Sequence, residues 1–391
     1  MSPLELLGLG WAAMATGFSS VALGRLLRAR RRPVAGTRVP VLLLRPVDAP
    51  TERELENLSR PVDYAGELEQ VVLSPYRPRL GPGVRWLPSD PPAPNRKVGH
   101  LLYALEVLPT QGRVVLAVDA DVAVTGALVE ALAAPVAAGA ALSTAAPTPV
   151  GVRGLVAWAV SGLLRHSHHS FRALHAMSAG AKAVCGKALG LSPVAAEELR
   201  GLADHIGEDL ELAKRLHARG QEVALAEEPA LVPMEPMRSW RPAVERFTRW
   251  MQVLASHRPG LYPTVPLLFT PTLPLAALAL GLGSWTVGAA TGALVLVRTL
   301  LSWRLAVLTK SSPPLSLKAG GSPPPAAGEG GGGSAWLAVA GAWLLGEALL
   351  LAAFLRSTWQ AGTVTWRGRT YALQRGGRMA PVWPELSGGP G

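Results

Sequence analysis

RVVLAVDADVAV, residues 113–124, runs apolar without interruption from Val114 to Val118 and then presents Asp119 and Asp121. A short unbroken apolar run of this kind is the pattern of a parallel strand buried on both faces. Its carboxyl end is where open α/β sheets bind ligands. Two acids at i and i+2 leaving a strand point to the same side, and with diphosphate oxygens they can hold a hard divalent cation, Mn or Mg. Such an ion would neutralise a departing diphosphate. The competing reading is a polar strand end followed by a loop.

Outward from this strand, residues 38–260 alternate short apolar runs (Val39 to Leu44, Gln70 to Leu73) with helix-like stretches, which predicts an α/β domain. Its flanks are of another kind. No charge occurs from Leu6 to Gly24, and a helix of that length spans a hydrocarbon core of roughly 30 Å. Arg25, Arg28, Arg30, Arg31 and Arg32 follow it. A signal peptide carries its basic cluster before the apolar run, so residues 1–28 are expected to be a retained anchor. The positive-inside rule then puts the catalytic domain on the cytoplasmic side of the cell membrane, in a multi-pass chain.

Residues 261–310 are expected to form a membrane segment. Leu261 to Val297 carries no charge but is interrupted by Pro263, Pro266, Pro271 and Pro274, and fits either an interfacial element plus one span or a hairpin of two. Residues 311–334 read as a Pro/Gly linker. Residues 335–356 form a last apolar segment containing Glu347, and 357–391 a basic tail. A carboxylate inside a span costs about 2.5–3.5 kcal/mol on insertion scales, so Glu347 is expected to face protein or water.

Composition agrees with a membrane-embedded enzyme. The 391 residues are 49% hydrophobic and 17% charged, with 12 Trp. A net charge of +11 calls for an anionic partner. Because the basic residues adjoin apolar stretches, lipid head groups or nucleotide-sugar phosphates fit better than nucleic acid. The single cysteine, Cys185, excludes an internal disulfide and multi-cysteine zinc patterns.

Two further motifs carry chemistry. In HIGEDLELAKRLHARG, Glu208 and Asp209 sit at a helix amino terminus, where the helix dipole alone favours acids. The functional alternative is a general base for an acceptor hydroxyl. In RFTRW, Arg246 and Arg249 share a helix face and can grip phosphate oxygens, with Trp250 at the interface; the bland alternative is an interfacial anchor.

Taken in order, these motifs resemble the family 2 glycosyltransferases and in particular the ceramide glucosyltransferase group, family 21. LLRPVDAPTERELENL and PVDYAGELEQVVL resemble that group's first two strands with the helix and turn between them. NRKVGHL resembles its Asn-x-Lys-Val-x-Asn-Leu segment, with His100 at the second Asn. AVDADVAV, VCGKALGLSP, GEDLELAKRLHARG and RFTRW resemble its metal, acceptor, base and (Gln/Arg)-x-x-Arg-Trp segments, and AWLLGEALLL with TVTWRGRTYAL its last membrane helix and tail. The resemblance implies a Rossmann-like GT-A domain with transmembrane helices at both ends, and an inverting transfer of a hexose, glucose in that group, from a UDP-sugar to a membrane lipid such as ceramide.

The same resemblance implies roles for particular residues. Asp119 and Asp121 would hold the metal, and Asp119 would also face the donor. Asp209, beside Glu208, would be the base, and Lys97, Arg246 and Arg249 would meet the phosphates. Arg249 and Trp250 belong to the catalytic signature, and Cys185 and Gly186 would line the acceptor site. One departure stands out: the group's aspartate after the second strand is missing, and no acid lies between Ser74 and Leu80, so either Ser74 and backbone groups cover the nucleoside or nucleotide recognition has changed. A processive polysaccharide synthase and a non-catalytic membrane scaffold are the competing readings.

Smaller signals have plain readings. His166, His168 and His169 are expected in an exposed turn. Gly151 to Leu164 is expected to be a helix, lying either against the bilayer or in the core. Cys185 behaves as a small hydrophobe unless it lines the acceptor site.

Overall fold

The computed structural model describes residues 1–28, 38–178, 180–310, 332–360, 362–366 and 369–382. Arg30, Arg31 and Arg32, most of the linker (311–331), the side chains of His168 and His169, and the end of the tail lie outside the described residues.

After the helix α1 (Pro3–Arg28), the chain alternates β1 (Val41–Pro46), α2 (Glu52–Ser59), β2 (Leu68–Ser74), β3 (Val84–Pro88), α3 (Arg96–Val107), β4 (Val114–Val118) and α4 (Gly126–Ala137). It continues through β5 (Leu142–Val150), α5 (Leu155–Met177), β6 (Ala188–Leu191), α6 (Pro193–Leu199), α7 (Glu208–Ala218) and β7 (Val223–Pro233). The strands form one sheet in the order β3-β2-β1-β4-β6-β5-β7. β1 pairs in parallel with both β2 and β4, whereas β6 runs antiparallel to both its neighbours. Leu42, Leu43, Leu44 and Leu116 are fully buried, as expected where helices cover both faces of the sheet. Each such side chain contributes about 1.5–3 kcal/mol on burial.

Local chemistry starts the helices where the sequence permits. α2 opens on a capping box in which Thr51 Oγ1 accepts from the Glu54 N–H (3.3 Å) and Glu54 Oε2 from the Thr51 N–H (2.8 Å). α3 is capped by Asn95, whose Oδ1 accepts from the Val98 N–H at 3.2 Å. From β1 the chain moves outward to β2 and β3, then returns through α3 to β4 on the other side of β1. That reversal opens a crevice at the carboxyl ends of β1 and β4.

α8 (Trp240–His257), α9 (Thr272–Leu282), α10 (Trp285–Lys310) and α11 (Gly332–Trp359) follow the sheet. Among the described residues, three helical stretches are long and apolar enough to cross a membrane: Pro3–Arg28, Trp285–Val307 and Val339–Trp359. α9, at 11 residues, reaches about half a bilayer core. The 261–310 region is therefore a short element plus one long helix. Between α5 and α11 the backbones touch. A Cβ at Gly162 would lie 2.0 Å from the Ala342 carbonyl oxygen, and one at Gly346 would lie 2.4 Å from the Leu163 nitrogen, so only glycine permits this approach.

Glu347 faces protein. It pairs with Arg298 at 2.7 Å, and both side chains are fully buried. Its other oxygen accepts from the Thr272 N–H at 2.6 Å, and Arg298 also donates to the Leu268 carbonyl at 2.6 Å. α9, α10 and α11 thus share one polar knot inside an apolar bundle.

The tail is folded. β8 (Thr363–Trp366), β9 (Arg369–Leu373) and β10 (Met379–Pro381) make a small antiparallel sheet that docks on the loop before α7. Gly377 C=O accepts from the Ile206 N–H and Asp204 C=O from the Met379 N–H, both at 2.8 Å. His257 Nε2 donates to the Ile206 carbonyl at 2.7 Å, while Gln252 Nε2 donates to the Gln360 and Thr363 carbonyls. Gly377 sits at φ +80°, and a Cβ there would lie 2.0 Å from His257 Nε2.

Two outcomes are expected. Glu347→Ala leaves Arg298 buried without its anion, a loss of about 3–5 kcal/mol, whereas the double variant Arg298→Met/Glu347→Leu costs far less. Thermal unfolding in detergent reads the difference, and equal losses would contradict the assignment. Gly377→Ala costs at least about 1–2 kcal/mol from its left-handed backbone alone. Hydrogen exchange should quicken at Ile206 and Met379, with the sheet strands unchanged.

Candidate active site

Because β6 is antiparallel to β4, with Ala188 opposite Val118, the residues just before β6 lie beside those just after β4. Asp119 N–H donates to the Lys187 carbonyl at 2.9 Å. The Lys187 ammonium stands 2.5 Å from Asp121 Oδ2 and 3.6 Å from Asp119 Oδ2. From beneath, Arg45 braces the acidic loop. Fully buried on β1, it donates to the carbonyls of Val118 (3.1 Å), Asp119 (3.1 Å) and Val122 (2.7 Å). Burial, opposed by Asp119 and Asp121, brings its pKa down to about 10.

Lys97, on the first turn of α3, joins three separate segments. Its ammonium donates to the Gly186 carbonyl at 2.6 Å and lies 2.9 Å from Asp119 Oδ1 and 3.2 Å from Glu208 Oε1. Burial works against its charge, but Asp119 and Glu208 outweigh it and raise its pKa. An ammonium has three N–H donors, and these three partners take them. Lys97 thereby braces the site while still lining the cavity, together with Arg246, Arg249 and Lys187.

The acidic pair on α7 divides. Glu208 Oε2 accepts from Asn95 Nδ2 at 3.0 Å; burial would raise its pKa, yet Lys97 and these hydrogen bonds hold it below the ordinary range. Asp209 Oδ2 accepts from the Gly186 N–H (2.7 Å) and Oδ1 from the Leu210 N–H (2.9 Å). Burial, followed by the neighbouring Glu208 charge, pushes Asp209 up to about 6. That value suits a group that must take a proton near neutral pH. The Cys185 thiol is pushed up to about 12, first by burial and then by Asp209, so it stays protonated.

Asp119, Asp121, Lys97, Cys185, Gly186, Glu208, Asp209, Arg246, Arg249 and Trp250 all line one cavity of about 670 Å³. Trp250 faces this cavity, with Arg246 over its ring at 5.5 Å and Phe247 edge-on at 5.1 Å. Burial, then the Arg246 charge, lowers the pKa of Arg249. The other end of the cavity is apolar: Leu164, Met251, Leu254 and Phe269, in or beside the cluster that joins α5, α8 and α11.

Asp121 Oδ1 is buried and, among the described residues, has no hydrogen-bond partner. No group of three His, Cys, Asp or Glu side chains that could hold a metal occurs among the described residues. The two carboxylates fit a hard divalent cation only if diphosphate oxygens complete its shell.

Some functional candidates were not read from the sequence. Arg45 left only the trace of one cation inside an apolar strand. Lys187 is placed by a strand pairing that spans about seventy residues. Trp366 reaches the cavity wall from the tail. The expectation of an exposed histidine turn is corrected: His166 is buried in α5, its ring 6.1 Å from that of Trp343, because helical spacing turns it onto the packed face. Ser74 is hydrogen-bonded within its own surroundings. Its hydroxyl donates to the Tyr76 carbonyl at 2.7 Å and accepts from Trp86 Nε1 at 3.1 Å.

A mannosyltransferase from Pyrobaculum calidifontis, solved with GDP-Man and Mn2+, is 14% identical with a TM-score of 0.42, over 91% of this chain and 99% of that one. A mycobacterial protein is 16% identical with a TM-score of 0.36, over 59% of this chain and 80% of that one. The bifunctional IspDF of Campylobacter jejuni is 12% identical with a TM-score of 0.28, over 48% and 50%. No curated protein matches. The sequence matches glycosyl transferase family 21 over residues 86–379, a stretch that holds every motif of the cavity except those of the first two strands; the chain belongs to that family of glycosyltransferases.

Proposed function

We propose that the protein transfers a hexose, glucose by family resemblance, from a UDP-sugar to a hydroxyl of a membrane lipid such as ceramide, with inversion. The observation that carries this reading is the position of Asp209. Its carboxylate, raised to about 6, lines a cavity with arginines and lysines at one end and an apolar wall at the other. The apolar wall belongs to α5, α8 and the segment before α9, and Phe269 there stacks against Phe18 of α1 at 5.7 Å. A lipid chain can therefore lie among the helices while its hydroxyl reaches the acid.

In this mechanism Arg246, Arg249 and Lys187 hold the diphosphate. Asp209 takes the proton from the acceptor hydroxyl, whose oxygen attacks the anomeric carbon from the side opposite the diphosphate. The bond from that carbon to the diphosphate oxygen breaks, and the nucleoside diphosphate leaves with the electron pair. Asp119 and Asp121 would hold a divalent cation, Mn or Mg, which supplies charge neutralisation to the leaving group. Glu208 stays ionised beside Lys97 and keeps the Asp209 pKa raised. The domain faces the cytoplasm in a multi-pass arrangement, in keeping with Arg25 and Arg28 at the end of α1.

A processive synthase is disfavoured because polymer export needs a channel of several spans, and among the described residues three helices are long enough to cross a membrane. A scaffold without activity would have no reason to keep so many charges buried around one cavity.

Purified protein given labelled UDP-glucose, Mn or Mg, and a panel of lipid acceptors should form a lipid-soluble product; no product with any donor would end the enzyme reading. Asp209→Asn should lower kcat by about 10²–10⁴ with donor binding retained. The base works deprotonated, so kcat should fall as pH drops through about 6. An acid limb at the ordinary carboxylate value near 4 would contradict the role of burial and Glu208.

A further inference from the structure

We propose that Asp48 is the residue that reads the nucleobase, accepting the ring N–H of a uracil or guanine. This rests on the glycosyltransferase reading above and deepens it. A cavity that selects one nucleotide needs a fixed polar group at its nucleoside end, and the end of β2 provides none. Ser74 is committed to its own loop, and no carboxylate follows before Leu80.

The neighbouring strand does provide one. In the parallel pairing Pro46 lies opposite Leu73, and the Val47 N–H donates to the Leu73 carbonyl at 2.9 Å. Asp48 therefore emerges one strand over, about 5 Å away, at the level where β2 ends. It lies on the cavity wall with Pro46, Val47 and His100.

Its carboxylate is held firmly. Asp48 Oδ1 accepts from Arg96 Nε at 2.7 Å and pairs with His100 Nε2 at 2.9 Å, while His100 Nδ1 lies 2.8 Å from Ser89 Oγ. His100 is buried and uncharged at neutral pH, since burial and then Arg96 bring its pKa to about 4. Its Nε2–H donates to Asp48, and its Nδ1 accepts from the Ser89 hydroxyl. Arg96 is itself steadied by Asp90 at 2.5 Å. A carboxylate fixed this way accepts hydrogen bonds and gives none. Uracil and guanine present a ring N–H to it; cytosine and adenine present a bare ring nitrogen instead, which it repels.

The test is direct binding of UDP, GDP, CDP and ADP to the purified full-length protein in nanodiscs, by calorimetry and without turnover. The wild type should bind UDP or GDP at least about tenfold tighter than CDP and ADP, the scale of one charge-assisted hydrogen bond. Asp48→Ala should remove that preference by weakening the favoured nucleotide alone, and His100→Asn should erode it partly, with thermal stability of both variants checked first. The UDP and GDP arms separate the two bases. If the wild type discriminates and Asp48→Ala discriminates equally well, the assignment to Asp48 fails and the glycosyltransferase reading stands. If the wild type binds none of the four, that reading itself fails.

Discussion

The Lys97 ammonium is the point on which the site is balanced. It ties the start of α3 to the end of β4, to the turn before β6 and to the start of α7. Without Lys97, four acids, Asp119, Asp121, Glu208 and Asp209, would crowd around one crevice with Lys187 as their nearest counterion. Its choice of partners also decides which acid can act. By pairing with Glu208 rather than Asp209, it leaves Glu208 as a fixed anion and Asp209 as the carboxylate whose proton affinity rises. Two adjacent acids thus acquire different tasks from their surroundings, not from their chemistry.

The membrane helices and the tail act on the same crevice from the opposite side. α8 carries Arg246, Arg249 and Trp250 on its cavity face and packs with α5 and α11 on its other face. α11 in turn is held to α9 and α10 by Glu347 and Arg298. The position of Arg246 and Arg249 therefore depends on an ion pair inside the bundle. The tail sheet fixes the remaining variable, the 204–207 loop that leads into Asp209, by backbone pairing with Ile206 and Asp204. Each catalytic segment is anchored by something distant in sequence.

This explains what could be read from the sequence and what could not. The strand ending at Asp119 was legible because burial on both faces leaves an unbroken apolar run, and the acid-rich start of α7 because helix dipoles attract acids. The arginines of α8 were legible from their spacing of three. Lys187 was not, since its meeting with Asp121 depends on β6 running against β4, a direction no local pattern encodes. Arg45 looked like an interruption of its strand, although it holds the acidic loop by four carbonyl contacts. The tail read as a basic extension because its strands are three to five residues long and gain their order only by docking. His166 was misread for the opposite reason: three histidines in four positions suggest a polar turn, and only the helix containing them shows which one turns inward.

In the mechanism proposed above, the two ends of the cavity place different demands on the chain. At the polar end, cations must hold a diphosphate until the sugar has moved and then release it, so Arg246 and Arg249 benefit from lying beside one another. Their mutual repulsion, which with burial lowers the Arg249 pKa, is relieved when an anion binds and returns when it leaves. At the apolar end, the acceptor is held by dispersion and burial, which are not directional, so geometry must come from the hydroxyl end. Asp209 is fixed for that purpose by two backbone N–H groups from separate segments, Gly186 and Leu210. Those two hydrogen bonds lower its basicity, whereas burial and Glu208 raise it further. The net value near 6 is a compromise in which the base stays oriented without losing its affinity for a proton.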